Sequence, residues 1–175
     1  MPAPLLWLGA AALGIYASDR ANTEYMKRKQ IVTSMPGEGT FAVTPENGAV
    51  VCCGVYGVLD HTGIWVDGNI YELNGNGLVR CISPARFIEN RSGEAIFVAC
   101  DKRANVIANP VAAQRAQSQL YQLYDCHLFK QNCHRFVAEQ ILGTSADITS
   151  FSALNGILHE HYAKTIAWNP LLMNE

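Results

Sequence analysis

Hydrophobic and polar positions divide the chain into an apolar start, a block of short strand-like runs and a helical second half. Residues 5–29 contain no proline, are rich in Ala at first and polar later, and predict one long helix. Turn-forming residues at 33–40 and 45–48 then lead into the main domain. We therefore predict an apolar N-terminal helix over 1–32, a main domain over 40–165 and a tail over 166–175.

Short runs rich in β-branched and aromatic residues predict strands in the middle of the chain. These runs are 49–56, 61–66, 69–73, 78–82 and 95–100. The pair Asp67-Gly68 separates the second run from the third and favours a two-residue hairpin turn. A helical turn over 83–87, with Ser83 as its candidate cap, interrupts the strands.

The second half of the chain predicts helices over 106–121, over 132–142 with Gly143 as C-cap, and over 150–162. Strands followed by helices are typical of the α+β class, in which an antiparallel sheet packs against helices on one side. The predicted fold class is therefore α+β, with the N-terminal helix as an addition.

Composition narrows the classes of partner. The chain has 175 residues, of which 49% are hydrophobic, enough for a single domain with its own core. Its net charge of −2 excludes the basic footprint that nucleic-acid binding requires. The six cysteines include the adjacent Cys52 and Cys53, whose mutual bridging would be strained, so we predict reduced thiols and no disulfide framework. No pattern indicates a cofactor.

The apolar stretch over 4–17 is shorter than the roughly 20 residues that a membrane span needs, and no basic residue precedes it as in a signal peptide. The stretch is compatible with two interpretations: a helix buried in the protein or packed on a partner, and a segment that contacts a membrane or a chaperone. Basic residues follow it, so insertion would leave the bulk of the chain in the cytoplasm. The expected location is cytoplasmic, membrane-associated or, for an exported bacterial effector, at a target membrane.

Cys133 is the candidate nucleophile because it directly follows Asn132, a good N-cap residue, at a predicted helix start. Unpaired backbone N–H groups and the positive end of a helix dipole stabilise a thiolate there. The same position lets the Cys133 backbone N–H donate to a developing oxyanion, with Asn132 as a positioning residue.

His61 is the candidate base among five histidines. His134 adjoins Cys133, but successive helical side chains point about 100° apart, which disfavours it. The others, His127, His159 and His161, lie in the approach to that helix and in the predicted last helix. His61 opens a strand whose next same-face positions, Gly63 and Trp65, leave room for a substrate.

Glu72 is the candidate third member of a triad. Across the hairpin it alternates with Ile70 and Asn74 on one face of the partner strand, where it can orient the His61 imidazole. Asn74 is the reserve for this role and, with Tyr56, a candidate pocket residue.

Two segments resemble the lecithin:retinol acyltransferase family. The first comprises 48–51, 60–68 and 70–73, and contains the His-x-Gly-Ile strand and the Asp-Gly turn of that family. The second comprises 115–128 and the run Asn132-Cys133-His134-Arg135-Phe136-Val137. The resemblance covers roughly 45–143 and implies a permuted papain-like fold of the NlpC superfamily, with Cys133, His61 and Glu72 at the catalytic positions.

The resemblance implies a thiol hydrolase or acyltransferase that forms a Cys133 acyl-enzyme on a lipid acyl ester. The alternative within the superfamily is cleavage of cell-wall peptides. Two departures stand out: His134-Arg135 replaces the usual Glu-His, and the usual glycine after Val66 is missing. Two further alternatives are a zinc site built from Cys126-His127 and Cys133-His134, and a non-catalytic module with the same fold.

Overall fold

The computed structural model describes residues 20–55, 59–89, 91, 95–124 and 132–172. Within these ranges a mostly antiparallel sheet of seven strands packs with five helices, which confirms the predicted α+β class. The elements in chain order are α1 (20–28), β1 (Val32–Ser34), β2 (Val50–Val55), β3 (Leu59–Val66), β4 (Asn69–Leu73), β5 (Val79–Ile82), α2 (Pro84–Ile88), β6 (Phe97–Asp101), α3 (Pro110–Ser118), α4 (Cys133–Leu142), α5 (Phe151–Tyr162) and β7 (Ile166–Pro170).

The strands lie in the order β1-β7-β6-β2-β3-β4-β5. The pair β1–β7 is parallel and the remaining neighbours are antiparallel. Between β3 and β4 the chain turns at Asp67 and Gly68, whose φ angles of 49° and 79° are the positive values that a tight two-residue hairpin turn needs. The predicted hairpin is therefore present, and it sets the register of the two strands that carry the candidate site.

Alternation along the strands divides the core into two clusters. One face, including Cys52 and Ile64, packs under α3, α4 and α5. The opposite face, including Cys53 and Ile70, packs against Phe87 of α2 and neighbouring loops. Consecutive residues of one strand therefore serve different clusters, as the two-residue period of a pleated strand requires.

Strand β7 corrects the predicted tail. Ile166–Pro170 pairs with β6 on one side and β1 on the other, and Trp168 is fully buried. The Trp168 indole N–H donates to Asn155 Oδ1 at 2.9 Å. The prediction of a tail from residue 166 is wrong for this strand because its aliphatic and aromatic side chains complete the core next to α5.

The predicted helix over 106–121 is shorter in the structure. Val106 and Ala108 form isolated bridges with Cys100 and Ala49, which places this stretch against the sheet. Helix α3 begins at Pro110 because the Asn109 side chain accepts from the backbone N–H groups of its first turn.

Only part of the predicted N-terminal helix lies within the described residues. Residues 20–28 are helical, Met26 is buried in the core under the sheet, and Val32 already belongs to β1. The apolar stretch over 4–17 lies outside the described ranges. Among the helices that the structure describes, none is both long and apolar enough to cross a bilayer.

Candidate active site

Helix α4 presents Cys133 at its first position, as predicted. The Asn132 side chain caps the helix, its Oδ1 accepting from the Arg135 backbone N–H at 2.9 Å, and Gly143 ends it with a φ of 73°. The Asn132 amide also donates to the Ile148 carbonyl at 3.4 Å. With both ends of its amide engaged, Asn132 holds the helix start, and the first backbone N–H groups of α4 are the donors that an anion at this end would meet.

His61 and Glu72 are brought together by the β3–β4 hairpin. The register pairs Ile64 with Tyr71 and Trp65 with Ile70, so His61 and Glu72 lie on one face of the sheet. His61 Nε2 and Glu72 Oε2 are 2.6 Å apart. This contact leaves the other ring nitrogen of His61 available to a thiol, as in the orienter, base and nucleophile order of a triad.

Two arginines hold the Glu72 carboxylate in addition to His61. Arg80 Nε donates to Oε1 at 2.6 Å, and Arg91 Nη2 donates to Oε2 at 3.1 Å. Burial raises the pKa of Glu72, but the hydrogen bond to His61 and the nearby charges outweigh it and lower the pKa to about 2. The carboxylate is therefore ionised at neutral pH although its side chain is fully buried.

Phe87 contacts both Arg91 and His61. Its ring centroid lies 5.3 Å from that of His61, and the Arg91 guanidinium lies over the same ring, 5.0 Å from its centroid. Arg91 also donates to the Phe87 carbonyl. Sequence reasoning missed Arg80, Phe87 and Arg91, although Arg80 is the direct cross-strand neighbour of Glu72 and could have been found from the strand register.

Cys133 and His61 interact closely enough for each side chain to shift the pKa of the other. Burial raises the pKa of the Cys133 thiol, but hydrogen bonds with His134 and His61 bring the pKa well below its ordinary value. Burial lowers the pKa of His61, and the hydrogen bonds to Cys133 and Glu72 reverse that effect and raise it. These directions favour a thiolate facing an imidazolium.

His134 also reaches the thiol, which corrects the prediction that its direction disfavours it. Its Nδ1 lies 3.9 Å from Cys133 Sγ and 3.2 Å from the Thr62 hydroxyl, and the residue is buried. Neighbouring Cα–Cβ directions on a helix differ by about 100°, but rotation about χ1 and χ2 can turn Nδ1 towards the preceding side chain. The structure therefore places two imidazoles at one sulfur.

The predicted pocket residues meet different outcomes. Gly63 does not leave open space: a Cβ built there would lie 2.5 Å from Ile70 Cγ2 and 2.9 Å from the Tyr71 carbonyl oxygen. Trp65 is half-buried and packs on the cluster around Ile70. The Asn74 amide donates to Asn76 Oδ1 at 3.0 Å within the β4–β5 turn, and the side chain that contacts His61 Nε2 is Glu72. Tyr56 lies outside the described residues.

The described part of the chain contains no cluster of side chains that would support the zinc alternative. There, no group of three or more His, Cys, Asp or Glu side chains is arranged to hold an ion. Cys126 and His127, which form one of the two Cys-His pairs of the zinc hypothesis, lie outside the described ranges.

No protein-family model matches this chain, and no curated protein matches it either. The functional assignment of this chain therefore rests on the arrangement of Cys133, His61 and Glu72.

Proposed function

We propose that this protein is a cysteine hydrolase or acyltransferase that works through an acyl-enzyme on Cys133. The observation that carries the proposal is the arrangement of three side chains: the buried Glu72 carboxylate contacts His61 Nε2 at 2.6 Å, and His61 in turn interacts with the Cys133 thiol and lowers its pKa. A lowered thiol pKa, an imidazole within reach and a third group that fixes the imidazole are the parts that thiol acyl chemistry requires. The resemblance to the lecithin:retinol acyltransferase family agrees with these roles.

The proposed reaction has two halves. The Cys133 thiolate attacks a carbonyl carbon, the carbonyl electron pair moves to oxygen, and the N–H groups at the start of α4 stabilise that oxyanion. Collapse expels the leaving group, which takes the proton from His61. His61 then accepts a proton from water or from an acceptor alcohol or amine, which attacks the thioester and returns the electron pair to sulfur.

We propose a lipid acyl ester as the substrate class, in keeping with the family resemblance and with the apolar stretch at 4–17. Cell-wall peptides are the competing class, because both substrates present a carbonyl to the same thiolate. The groups in contact with Cys133 serve either carbonyl equally, so the substrate class has to be decided by assay.

The test combines mass spectrometry with two substrates. The chain is mixed with phosphatidylcholine vesicles or with purified muropeptides. The intact mass of the protein is measured, and peptide mapping then locates any adduct. We expect an acyl adduct on Cys133 from the vesicles, none with Cys133→Ala, and an unchanged adduct with Cys81→Ala, which removes a half-buried thiol on β5. Adducts from muropeptides alone would assign the peptide class, and turnover that survives Cys133→Ala would refute the mechanism.

A further inference from the structure

Three consecutive residues of β3 lie around the Cys133 thiol or around the histidine beside it. The Asp60 carbonyl oxygen lies 4.0 Å from Cys133 Sγ, His61 lowers the pKa of the thiol, and the Thr62 hydroxyl lies 3.2 Å from Nδ1 of the second imidazole, His134. Alternation along the strand places His61 on the Glu72 side and Thr62 on the α4 side. The thiol therefore receives one imidazole from the strand and another from its own helix.

We propose that His134 is a positioning residue that acts on Cys133 through Nδ1–H, as a second donor to the thiolate, separate from the base His61. The inference rests on the proposed function and adds a division of labour between the two histidines. His61 is bound to a carboxylate and can exchange a proton with the reacting groups, whereas His134 is held in the core.

The surroundings of His134 support a fixed donor. Its ring packs against Phe151, with centroids 5.7 Å apart, and Phe151 in turn packs on the buried Trp168. Thr62 is fully buried, so its hydroxyl needs a partner, and Nδ1 of His134 supplies one. Because a hydroxyl can accept as well as donate, Thr62 is compatible with a proton on Nδ1, and this fixed N–H is shared between the Thr62 oxygen at 3.2 Å and the sulfur at 3.9 Å.

This arrangement has a specific kinetic consequence. When the acyl-enzyme breaks down, the carbon–sulfur bond cleaves and its electron pair returns to sulfur. A thiolate with a lower pKa leaves faster. A donor on the sulfur therefore helps the second half of the reaction more than the first, in which the same donor makes the thiolate a weaker nucleophile.

Other groups near the thiol do not duplicate this role. Burial raises the pKa of Cys52 well above its ordinary value and, against the opposing effect of Arg91, raises that of Cys53 to about 11, so both stay protonated near neutral pH and offer only weak S–H donors. Asp60 contributes its carbonyl oxygen, which cannot donate. Among the described side chains, His134 and His61 lower the pKa of the Cys133 thiol, and an imidazole ring can carry an N–H that donates to a thiolate.

The test compares His134→Leu with His134→Asn. The two replacements share one branched shape and leave the same space beside Phe151, but Asn keeps an N–H donor near the position of Nδ1. Thermal unfolding checks that both variants fold. The rate of Cys133 alkylation by iodoacetamide is then measured from pH 4 to pH 10 with peptide mapping, which requires no substrate.

We expect the Leu variant to hold about tenfold less thiolate than the Asn variant at the same acidic pH. We also expect its acyl-enzyme to live about threefold longer, because leaving-group ability follows thiol pKa with a slope of roughly one half. Alkylation profiles that coincide, or a Leu profile shifted to lower pH, would overturn the inference. The absence of any acyl adduct on the unaltered chain would instead overturn the proposed function, so the two failures are distinguishable.

Discussion

The buried Glu72 carboxylate makes the stability of this protein depend on pH in a way that one substitution isolates. Its two oxygens face His61, Arg80 and Arg91 at 2.6, 2.6 and 3.1 Å. Against the opposing effect of burial, these contacts lower its pKa from the ordinary 4.5 to about 2. Since the folded pKa lies below the unfolded one, the ionised carboxylate stabilises the fold above about pH 4.5 and loses this effect as the pH falls towards about 2.

The difference between 4.5 and about 2 corresponds to roughly 3 kcal/mol of unfolding free energy at neutral pH. We expect Glu72→Gln, which keeps the shape but removes the charge, to be less stable by about that amount at pH 7. The deficit should be nearly as large at about pH 5 and should fall to roughly half by about pH 3, where the unaltered carboxyl also begins to bind a proton in the folded state.

Urea unfolding followed by tryptophan fluorescence at several pH values measures this deficit. Glu38→Gln is the matched control, because Glu38 also pairs with a cation, Lys27 at 2.7 Å, but lies at the surface, where an ion pair contributes less than about 1 kcal/mol. A Glu72→Gln deficit that stays constant between pH 7 and pH 3 would refute the assignment of the charge as its cause.

Further substitutions test the support of the site. Gly63→Ala should destabilise the fold by about 1–3 kcal/mol in thermal unfolding, because the new Cβ meets Ile70 and backbone, whereas Gly75→Ala, with nothing within 4 Å, should change stability by less than about 0.5 kcal/mol. Equal effects of the two would contradict the close packing at β3. Asn132→Ala should cost about 1 kcal/mol and slow Cys133 alkylation at pH 6, because it removes the cap that orders the helix start; an unchanged alkylation rate would show that the cap does not position the thiol.

Local signals in the sequence were enough to predict the parts of the site that sit on single elements. Helix α4 begins after Asn132 and ends at Gly143 because capping chemistry depends on a few adjacent residues. The Asp67-Gly68 turn likewise fixes the register that brings Glu72 to His61. The capped helix and the hairpin both depend on residues that are close together in the sequence, so periodicity and turn chemistry predicted them.

Features that depend on distant packing were not predictable in the same way. Strand β7 reads as a tail because a short apolar run reveals nothing about pairing with β6, which lies far earlier in the chain. Arg91 reaches Glu72 from beyond α2, and the contact of His134 with the thiol depends on the side-chain rotamer, which the Cβ direction alone does not give. In each case the deciding contact depends on how elements pack in three dimensions.

The arrangement of β3 ties chemical competence to strand alignment. Since His61 and Thr62 project to opposite sides, sliding this strand by one residue would exchange them, sending an imidazole into the helix layer and a hydroxyl towards Glu72 and its arginines. The hairpin at Asp67 and Gly68 thus fixes the alignment of His61 and Thr62 in addition to stabilising the sheet. Inserting or deleting one residue in this turn would leave the hydrophobic composition of the chain almost unchanged, but it would separate His61 from Glu72.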